Sequence, residues 1–364
     1  MQNNMVSYRN DQIEKIKKLI LNYSKDTDIK ILHINKLKSI DTISILVRAY
    51  NSEKYIRDAL ESIIKVPIPG YELEILICYD RESTDNTLAI ITEFIEKIYD
   101  MGIAIKIIFT GHLFMFRAQE ILLRNAEGSY ITLLDSDNLL YTDKLKNKIE
   151  YMKKHGMHFA FSIPELIDDT GKKINRSFTH VPKQYKLFKN LVGGNYVDSN
   201  TILFDKYFNN SVLIKSLDLI KDKYFDMLFD DYLIALLASI TDSMNFFGEI
   251  TCGYRIHSSN STSVDDAYIS DKSQIFISHA FSYERRYKTF TALIYINSIL
   301  HFTDKLTISY LTYLEENNFK EYQISVGINS NSGSLYKNII RIALRYFTVV
   351  IKGAIKRSVT KRKG

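Results

Sequence analysis

Two aspartates one residue apart follow an apolar run at residues 130–134, and their spacing suggests a cation site. Asp135 and Asp137 come directly after the sequence Tyr-Ile-Thr-Leu-Leu. Two carboxylates at the end of one buried strand can reach a common point. Hard divalent cations such as Mg²⁺ or Mn²⁺ bind one or two carboxylates together with substrate phosphates. Aspartates are also frequent where a strand ends in a turn, so the pair alone does not decide between these interpretations.

Apolar runs and helical patterns alternate along the first part of the chain. The apolar runs occupy 43–47, 73–79, 103–109 and 130–134. Helical patterns extend over 53–64, from a cap at 84 or 85 to about 99, and over 116–126. This alternation predicts βαβ units around a parallel sheet. The carboxyl ends of parallel strands share one edge of a sheet, so the loops 48–52, 80–87, 110–116 and 135–138 should build a ligand site there.

Two further motifs stand in the less regular second half, where 157–163 and 201–204 are strand-like. Asp230 and Asp231 open a helical pattern at 230–240, and His257 leads into a hydroxyl-rich loop. A carboxylate can take a proton from an attacking hydroxyl group, and a neutral imidazole can bind a metal ion. Acids in a first turn also stabilise the helix dipole, and a turn histidine can simply be satisfied by its neighbours. Both simpler interpretations therefore remain open at this point.

Five segments, in this order and spacing, resemble glycosyltransferases of family 2. They are ISILVRAYNSEKYIRDALESI (43–63), LEILICYDRESTDNT (73–87), GSYITLLDSDN (128–138), FDDYLIALLAS (229–239) and YRIHSSNSTS (254–263), and the resemblance covers about residues 42–263. It implies the nucleotide-diphospho-sugar transferase fold called GT-A. That fold is an α/β, Rossmann-like, mostly parallel sheet flanked by helices, here with a helical C-terminal extension.

The resemblance places a nucleotide over the first, second and fourth loops. The residues it assigns to the nucleotide are Val47, Ala49, Tyr50, Glu53, Asp80, Arg81, Asp135 and Ser136. The backbone of residues 47–50 would line the base, and Asp80 would contact the base directly. Glu53 stands where the family often has a nucleotide-contacting acid, and Asp135 corresponds to the acid on the ribose or phosphate side.

The metal ion and the reaction follow from the same resemblance. Asp137 corresponds to the ligand of a Mn²⁺ or Mg²⁺ ion, and His257 is placed to reach that ion or the diphosphate. Asp231 stands at the position of the general base, with Asp230 beside it. The implied mechanism is an inverting single displacement, in which the acceptor attacks the anomeric carbon while the nucleoside diphosphate leaves.

Two departures from the family pattern affect the predicted phosphate contacts. A second aspartate and a glycine usually follow the position of Asp80, but Arg81 and Glu82 stand there; Arg81 could pair with a phosphate or with a neighbouring acid. The Ala-Arg-Asn that the family commonly shows before the fourth strand is Ala118-Gln119-Glu120 in this chain, although Arg117 and Arg124 are near in sequence.

Composition and pattern divide the chain of 364 residues into four regions. We predict an N-terminal helical extension at 1–41 with an amphipathic helix at 9–24, a GT-A domain at 42–265, a C-terminal helical region at 266–333 and a basic amphipathic tail at 334–364. Two cysteines, no signal-peptide pattern and no run of about 18 apolar residues favour a cytoplasmic protein without a spanning helix.

The basic tail concentrates the positive charge of the chain. Residues 334–364 hold nine lysines and arginines and no acid, whereas the net charge of the whole chain is +6. Apolar residues share a helical face in this segment, which fits a helix on an anionic membrane surface. A terminal helix docked on the domain with a solvated basic end fits equally well. The remaining chain is acidic, so we do not expect nucleic acid as a partner.

The predicted function is metal-dependent transfer of a sugar from a nucleotide sugar, with UDP favoured by the resemblance alone. The acceptor would be a glycan or a lipid-linked sugar in surface polysaccharide or lipooligosaccharide synthesis, on the inner face of the plasma membrane if the tail binds lipid. A peptide acceptor is an alternative, and so is an inactive GT-A module that only binds sugar nucleotides. A nucleotidyltransferase would want a glycine-rich loop after the first strand, and residues 48–55 contain no glycine.

Overall fold

The computed structural model describes residues 2–113, 115–175, 197–218 and 244–257, together with residues 231, 234, 235, 237 and 238. All of them belong to one compact unit, formed by Met1–Tyr185 and Tyr196–Ser263. The predicted helical region at 266–333, the basic tail at 334–364 and Asp230 lie outside the described residues.

An eight-stranded sheet forms the centre of this unit, in the order β1-β4-β3-β2-β5-β9-β7-β10. Its strands are β1 (Lys30–Ile34), β2 (Thr42–Ala49), β3 (Glu72–Asp80), β4 (Ala104–Thr110), β5 (Tyr130–Asp135), β7 (Phe159–Phe161), β9 (Leu203–Asp205) and β10 (Met244–Phe246). Neighbours from β4 through β3 and β2 to β5 are parallel, as are β7 and β10, whereas β1 and β9 pair antiparallel with their neighbours. The predicted mostly parallel α/β fold is confirmed.

Helices α1 to α5 and a second, smaller sheet accompany the main sheet in the described part of the unit. The helices are α1 (Gln2–Tyr23), α2 (Ile56–Ile64), α3 (Thr87–Tyr99), α4 (Met115–Asn125) and α5 (Thr142–His155). The smaller sheet has the order β6-β11-β8, with β6 (Leu139–Leu140), β8 (Glu165–Ile167) and β11 (Cys252–Arg255). A 3₁₀ turn at Ser199–Thr201 precedes β9, and helical turns at Lys206–Phe208, Asn209–Leu213 and Ile214–Leu217 follow it.

The core lies where helices cover the central parallel strands. Every residue of β4 is buried, as are all but one of β2, because helices cover both faces of these strands and so remove the side chains on either face from water. Ile56, Ala59, Leu60 and Ile63 of α2 follow a spacing of three and four residues and are fully buried. This spacing places them on one face of the helix, toward the sheet.

The N-terminal extension differs from the prediction because it also contributes a strand. Lys30–Ile34 forms β1, which pairs antiparallel with β4 from Lys30 opposite Phe109 to Ile34 opposite Ile105. The extension is therefore part of the main sheet, which it extends at one edge. Two arginine hydrogen bonds tie it further: Arg81 Nε donates to the carbonyl oxygen of Tyr23 at 2.7 Å and Nη2 to that of Asp28 at 2.5 Å.

A close backbone approach joins the amino ends of β2 and β5. The Gly128 N–H donates to Ser44 Oγ at 2.8 Å, and the Ser44 hydroxyl donates to the Glu74 carboxylate. Lys106, buried beside them, forms an ion pair with Glu74 at 2.8 Å. Polar groups at this buried end of the sheet are thus satisfied by one another, and it lies opposite the edge where the candidate residues gather.

In the part of the chain that the structure describes, no helix is both long enough and apolar enough to cross a membrane.

Candidate active site

The carboxyl ends of β3, β2 and β5 bring the predicted nucleotide residues to one edge of the sheet. Arg48 of β2 pairs in register with Cys78 of β3 on one side and with Asp135 of β5 on the other. Asp80 and Asp135 therefore end the strands that flank β2. The strand order, rather than sequence proximity, is what assembles them.

Asp135 is held in a dense set of hydrogen bonds. One carboxylate oxygen accepts from Arg48 Nη2 at 2.5 Å, and the other accepts from Ser199 Oγ at 3.0 Å and Asn200 Nδ2 at 2.9 Å. Burial disfavours its charged form, but the Arg48 guanidinium and these donors outweigh burial and hold the pKa of Asp135 below its ordinary value. It therefore remains a carboxylate at neutral pH.

Asp137 has a different environment two residues later. His257 Nε2 lies 3.1 Å from Asp137 Oδ2, while Asp137 Oδ1 is buried and has no hydrogen-bond partner among the described residues. Burial, and then the neighbouring charge of Asp135, raise the pKa of Asp137 above its usual range. An unsatisfied buried carboxylate oxygen is costly unless another group approaches it.

A divalent cation fits this arrangement. Among the described residues, no group of three or more His, Cys, Asp or Glu side chains is arranged to hold a metal ion. Mg²⁺-type sites commonly use only one or two protein carboxylates, with phosphates and water as the remaining ligands. The unpartnered Asp137 Oδ1, with the His257 imidazole on the other oxygen, offers the protein share of such a site.

Arg255 and Tyr55 fix the position of this pair, and sequence reasoning missed both. Arg255 is fully buried; its Nε donates to the carbonyl oxygen of Asp137 at 2.8 Å, and its backbone N–H donates to Asn138 Oδ1 at 2.8 Å. The Tyr55 ring lies 4.7 Å from the Arg255 guanidinium and 4.8 Å from the His257 ring. A signal existed for Arg255, since a strand residue two positions before His257 should share its direction.

At the other end of the site, Asp80 is joined by a residue that the sequence analysis did not single out. His112 Nδ1 lies 2.7 Å from Asp80 Oδ2, and the Glu82 N–H donates to Asp80 Oδ1 at 2.9 Å. The His112 ring is 4.8 Å from the Tyr50 ring, which is about half exposed. Tyr50, Asp80 and His112 thus form an open aromatic and acidic corner.

The remaining predicted nucleotide residues lie around the first loop, where their side chains are buried or contact neighbouring loops. Val47 and Ala49 are buried, so only their backbone is placed to line a ligand. Ser136 Oγ lies 2.8 Å from Ser52 Oγ and joins the first and fourth loops. Glu53 Oε2 accepts from the backbone N–H and the side-chain amide of Asn86, at 3.0 and 2.8 Å, and so stabilises the start of α3.

Arg81 contacts the N-terminal extension. Its described hydrogen bonds go to backbone carbonyl oxygens of the N-terminal extension rather than to an acid, and they direct it to Tyr23 and Asp28. These contacts join the second loop to the N-terminal extension, and the assignment of Arg81 to the nucleotide stays a prediction.

Asp231 lies in a helical stretch whose inner face is buried. Residue 231 is helical and partly buried, and Ile234, Ala235, Leu237 and Ala238 are buried helical residues. Asp231 therefore stands near the start of the predicted helix with its apolar residues toward the core.

A third acid, Asp198, accompanies Asp135 and was not found from sequence. Its side chain accepts from the Asn200 backbone N–H at 2.9 Å and from Asn200 Nδ2 at 3.1 Å, which shapes the 3₁₀ turn that holds Asp135. Burial and the Asp135 charge raise the pKa of Asp198 to about 7. Four carboxylates, those of Asp80, Asp135, Asp137 and Asp198, thus surround the edge of the sheet.

Comparisons with known proteins point to a family and a fold. Residues 44–213 match the family model "Glycosyl transferase family 2". Poly(ribitol-phosphate) beta-N-acetylglucosaminyltransferase TarS of Staphylococcus aureus is 30% identical over 112 residues, which cover 31% of this chain and 19% of TarS. The putative teichuronic acid biosynthesis glycosyltransferase TuaG of Bacillus subtilis is 28% identical over 39% of this chain and 53% of TuaG. This chain thus spans less than two thirds of either relative.

One more relative and a solved structure of TarS extend the comparison. The UDP-Glc:alpha-D-GlcNAc-diphosphoundecaprenol beta-1,3-glucosyltransferase WfaP of Escherichia coli is 28% identical over 46% of this chain and 77% of WfaP. The crystal structure of S. aureus TarS 1–349 in complex with UDP-GlcNAc superposes with a TM-score of 0.52 at 18% identity, and the match covers 83% of this chain and 81% of that chain. At this identity the superposition shows a shared fold.

Proposed function

Because this chain belongs to glycosyltransferase family 2 through its residues 44–213, we propose that it transfers a sugar from a UDP-sugar to a glycan or lipid-linked acceptor in cell-surface polysaccharide synthesis. The observation that carries this proposal is the row formed by Asp80, Asp135 and Asp137 with His257 along one edge of the sheet. The names of TarS and WfaP, which state a poly(ribitol-phosphate) and a lipid-linked diphosphate sugar as acceptors, support the acceptor class.

The corner formed by Tyr50, Asp80 and His112 suits a uracil base. Uracil presents an N–H donor between two carbonyl oxygens, and the Asp80 carboxylate accepts from such a donor. Cytosine offers a ring nitrogen acceptor at the same place, which a carboxylate repels. The half-exposed Tyr50 ring, with the backbone of residues 47–50, provides a surface for the base. This chemistry supports UDP rather than CDP as the carrier.

The diphosphate belongs beside Asp137 and His257. These two residues would hold a Mn²⁺ or Mg²⁺ ion, which when bound would neutralise charge on the departing diphosphate. The buried Asp137 Oδ1 without a hydrogen-bond partner supports this role. Arg255 and Asn138 hold the backbone of the loop in place, so that the carboxylate does not need to reorganise when the donor binds.

The acceptor hydroxyl needs a base, and Asp231 is the residue proposed for it. As the hydroxyl oxygen attacks the anomeric carbon, its proton passes to the Asp231 carboxylate. The bond between the anomeric carbon and the diphosphate oxygen breaks on the opposite side, UDP leaves, and the configuration at that carbon inverts. Asp230, predicted beside it, lies outside the described residues.

Release of UDP from a panel of UDP-sugars, with Mn²⁺ and with a chelator, tests the proposal. We expect release to require the divalent ion and to be abolished by Asp137→Ala. Asp143→Ala is a matched control, since Asp143 is an exposed aspartate six residues further on, at the start of α5. Full activity of Asp137→Ala would overturn the metal assignment. Binding of UDP without turnover of any sugar would instead favour an inactive binding module.

A further inference from the structure

The diphosphate of the donor needs positive charge, and α4 does not offer its arginines for this purpose. Arg117 Nη1 lies 2.8 Å from one carboxylate oxygen of Glu120, and Arg124 Nε lies 2.8 Å from the other. The Glu120 side chain is almost fully buried and sits on the same helix. Both arginines lie near Ala118-Gln119-Glu120, where the family commonly has Ala-Arg-Asn, and both are therefore engaged with an acid of α4 itself.

Arg255 is the next cation at the site, and its contacts have a structural role. Its side chain is fully buried, and it donates to the carbonyl oxygens of Asp137 and Asp169 at 2.8 and 2.7 Å and to the Asp58 carboxylate at 3.1 Å. These contacts join the fourth loop, the turn after β8 and the first turn of α2. The Arg255 guanidinium therefore holds the loops of the site in position.

Arg48 occupies the place where a donor would pass from base to metal. It lies on β2, between Asp80 at the end of β3 and Asp135 at the end of β5. Its Nη2 is 2.5 Å from Asp135, its Nη1 is 3.4 Å from the carbonyl oxygen of Met115 at the start of α4, and its side chain is 17% exposed. Arg48 is thus a partly exposed cation between the two ends of the proposed donor site, and it already contacts Asp135 and the start of α4.

We propose that Arg48 binds the diphosphate of the nucleoside diphosphate donor while it keeps Asp135 in place. The inference rests on the proposed function and names a residue for the phosphate contact that α4 leaves unfilled. A planar guanidinium can bridge a carboxylate and a phosphate because its N–H groups fan out in one plane, and its charge persists at any working pH. Arg48 also offsets repulsion between Asp135 and the incoming phosphates.

Binding of UDP and of uridine, measured by calorimetry in the presence of Mn²⁺, tests this role. Arg48→Met should weaken UDP binding about 10- to 100-fold, the loss expected for a charge-assisted hydrogen bond, and should change uridine binding by less than about twofold. The UDP affinity of Arg48→Lys should fall between those of the unaltered protein and Arg48→Met, since a lysine keeps the charge but lacks the planar, forked donors of a guanidinium. Arg57→Met is the matched control, because Arg57 pairs with Glu93 on the exposed faces of α2 and α3.

Uridine separates a phosphate contact from a structural effect, since it carries the base and ribose without phosphates. Equal loss of UDP and uridine binding in Arg48→Met would show that Arg48 acts only through Asp135 and would overturn the inference. Unchanged UDP binding would overturn it as well. If the unaltered protein binds no UDP at all, the proposed UDP-sugar donor is wrong, which is a different result from a selective failure of the Arg48 variant.

Discussion

The pKa values of the two aspartates in the fourth loop are shifted in opposite directions. Asp135 faces Arg48 and two neutral donors, whereas Asp137 is buried beside Asp135, and one of its oxygens has no partner in the described part of the chain. The pKa of the first is lowered and that of the second is raised. The protein thus satisfies the first carboxylate by itself and leaves the second incomplete, which is the state expected of a residue whose partner arrives with the substrate.

At the scale of single residues, Asp231→Asn should separate chemistry from donor binding. An asparagine keeps the shape of the side chain but cannot accept the acceptor proton, so the turnover number should fall by about 10²- to 10⁴-fold. Affinity for the UDP-sugar, measured by calorimetry, should stay within a factor of about two. A variant that turns over normally would show that another group is the base, and loss of donor affinity would place Asp231 in the donor site.

Lys148 gives a prediction about pH and stability. Its ammonium group is buried on α5, where Nζ lies 3.1 Å from Ser162 Oγ and donates to the carbonyl oxygen of Thr201. Burial lowers the pKa of Lys148 from 10.5 to about 7. Between those values the unfolded chain holds a proton that the folded chain lacks, so the free energy of unfolding should rise with pH.

Lys148→Met should remove this dependence. From pH 7 to pH 9 the free energy of unfolding of the unaltered protein should rise by about 2 kcal/mol relative to the variant, measured by urea unfolding at each pH. Lys146→Met, on the exposed face of the same helix, should leave the slope unchanged. Parallel curves for the unaltered protein and Lys148→Met would mean that the buried lysine keeps its ordinary pKa.

Some residues of the site and core carried readable signals and others did not. Leu145, Ile149 and Met152 are spaced by three and four residues, so position 148 had to share their buried face, and Lys148 could have been found. Asp198 and His112 carried no such signal, because a single acid or histidine in a loop belongs to no repeating helix or strand pattern. Their closeness to Asp135 and Asp80 depends on contacts between parts of the chain far apart in sequence.

At the scale of elements, the four central parallel strands were predictable, as were strands near 157–163 and 201–204, whereas β1 and the position of β9 in the sheet were not. The runs at 43–47, 73–79, 103–109 and 130–134 are long, β-branched and buried on both faces, and each is a strand in the structure. In β1 only Leu32 and Ile34 are buried, a pattern too short to separate from a loop. Strand β9 inserts antiparallel between β5 and β7, and no local sequence feature reports that order.

Gly128, which joins α4 to β5, should not tolerate a side chain. A Cβ at this position would lie 2.5 Å from Ser44 Oγ and 2.6 Å from the Ser44 backbone nitrogen, and the nitrogen belongs to a central strand. Gly128→Ala should therefore lower the free energy of unfolding by about 3 kcal/mol, as measured by urea unfolding. Gly248→Ala is the control, since no atom of the described residues lies within 4 Å of the added carbon; equal stability of the two variants would contradict the close approach.

At the scale of the whole molecule, the charge is divided along the chain. The net charge is +6, and without the nine cations of residues 334–364 it would be −3. The candidate site itself is lined by the carboxylates of Asp80, Asp135, Asp137 and Asp198. The carboxylates of the site would attract a divalent cation, and the basic tail would attract an anionic surface.

The tail, which lies outside the described residues, therefore makes the last prediction. Each Lys or Arg near an anionic bilayer contributes about 1 kcal/mol, so deletion of 334–364 should abolish sedimentation with vesicles containing phosphatidylglycerol. Neither protein should bind vesicles of phosphatidylcholine alone, and added salt should weaken binding of the full chain. Replacing Lys361, Arg362 and Lys363 with glutamine should give a partial loss, since the apolar residues remain. Equal sedimentation of the full and shortened chains would leave the docked terminal helix as the explanation for this segment.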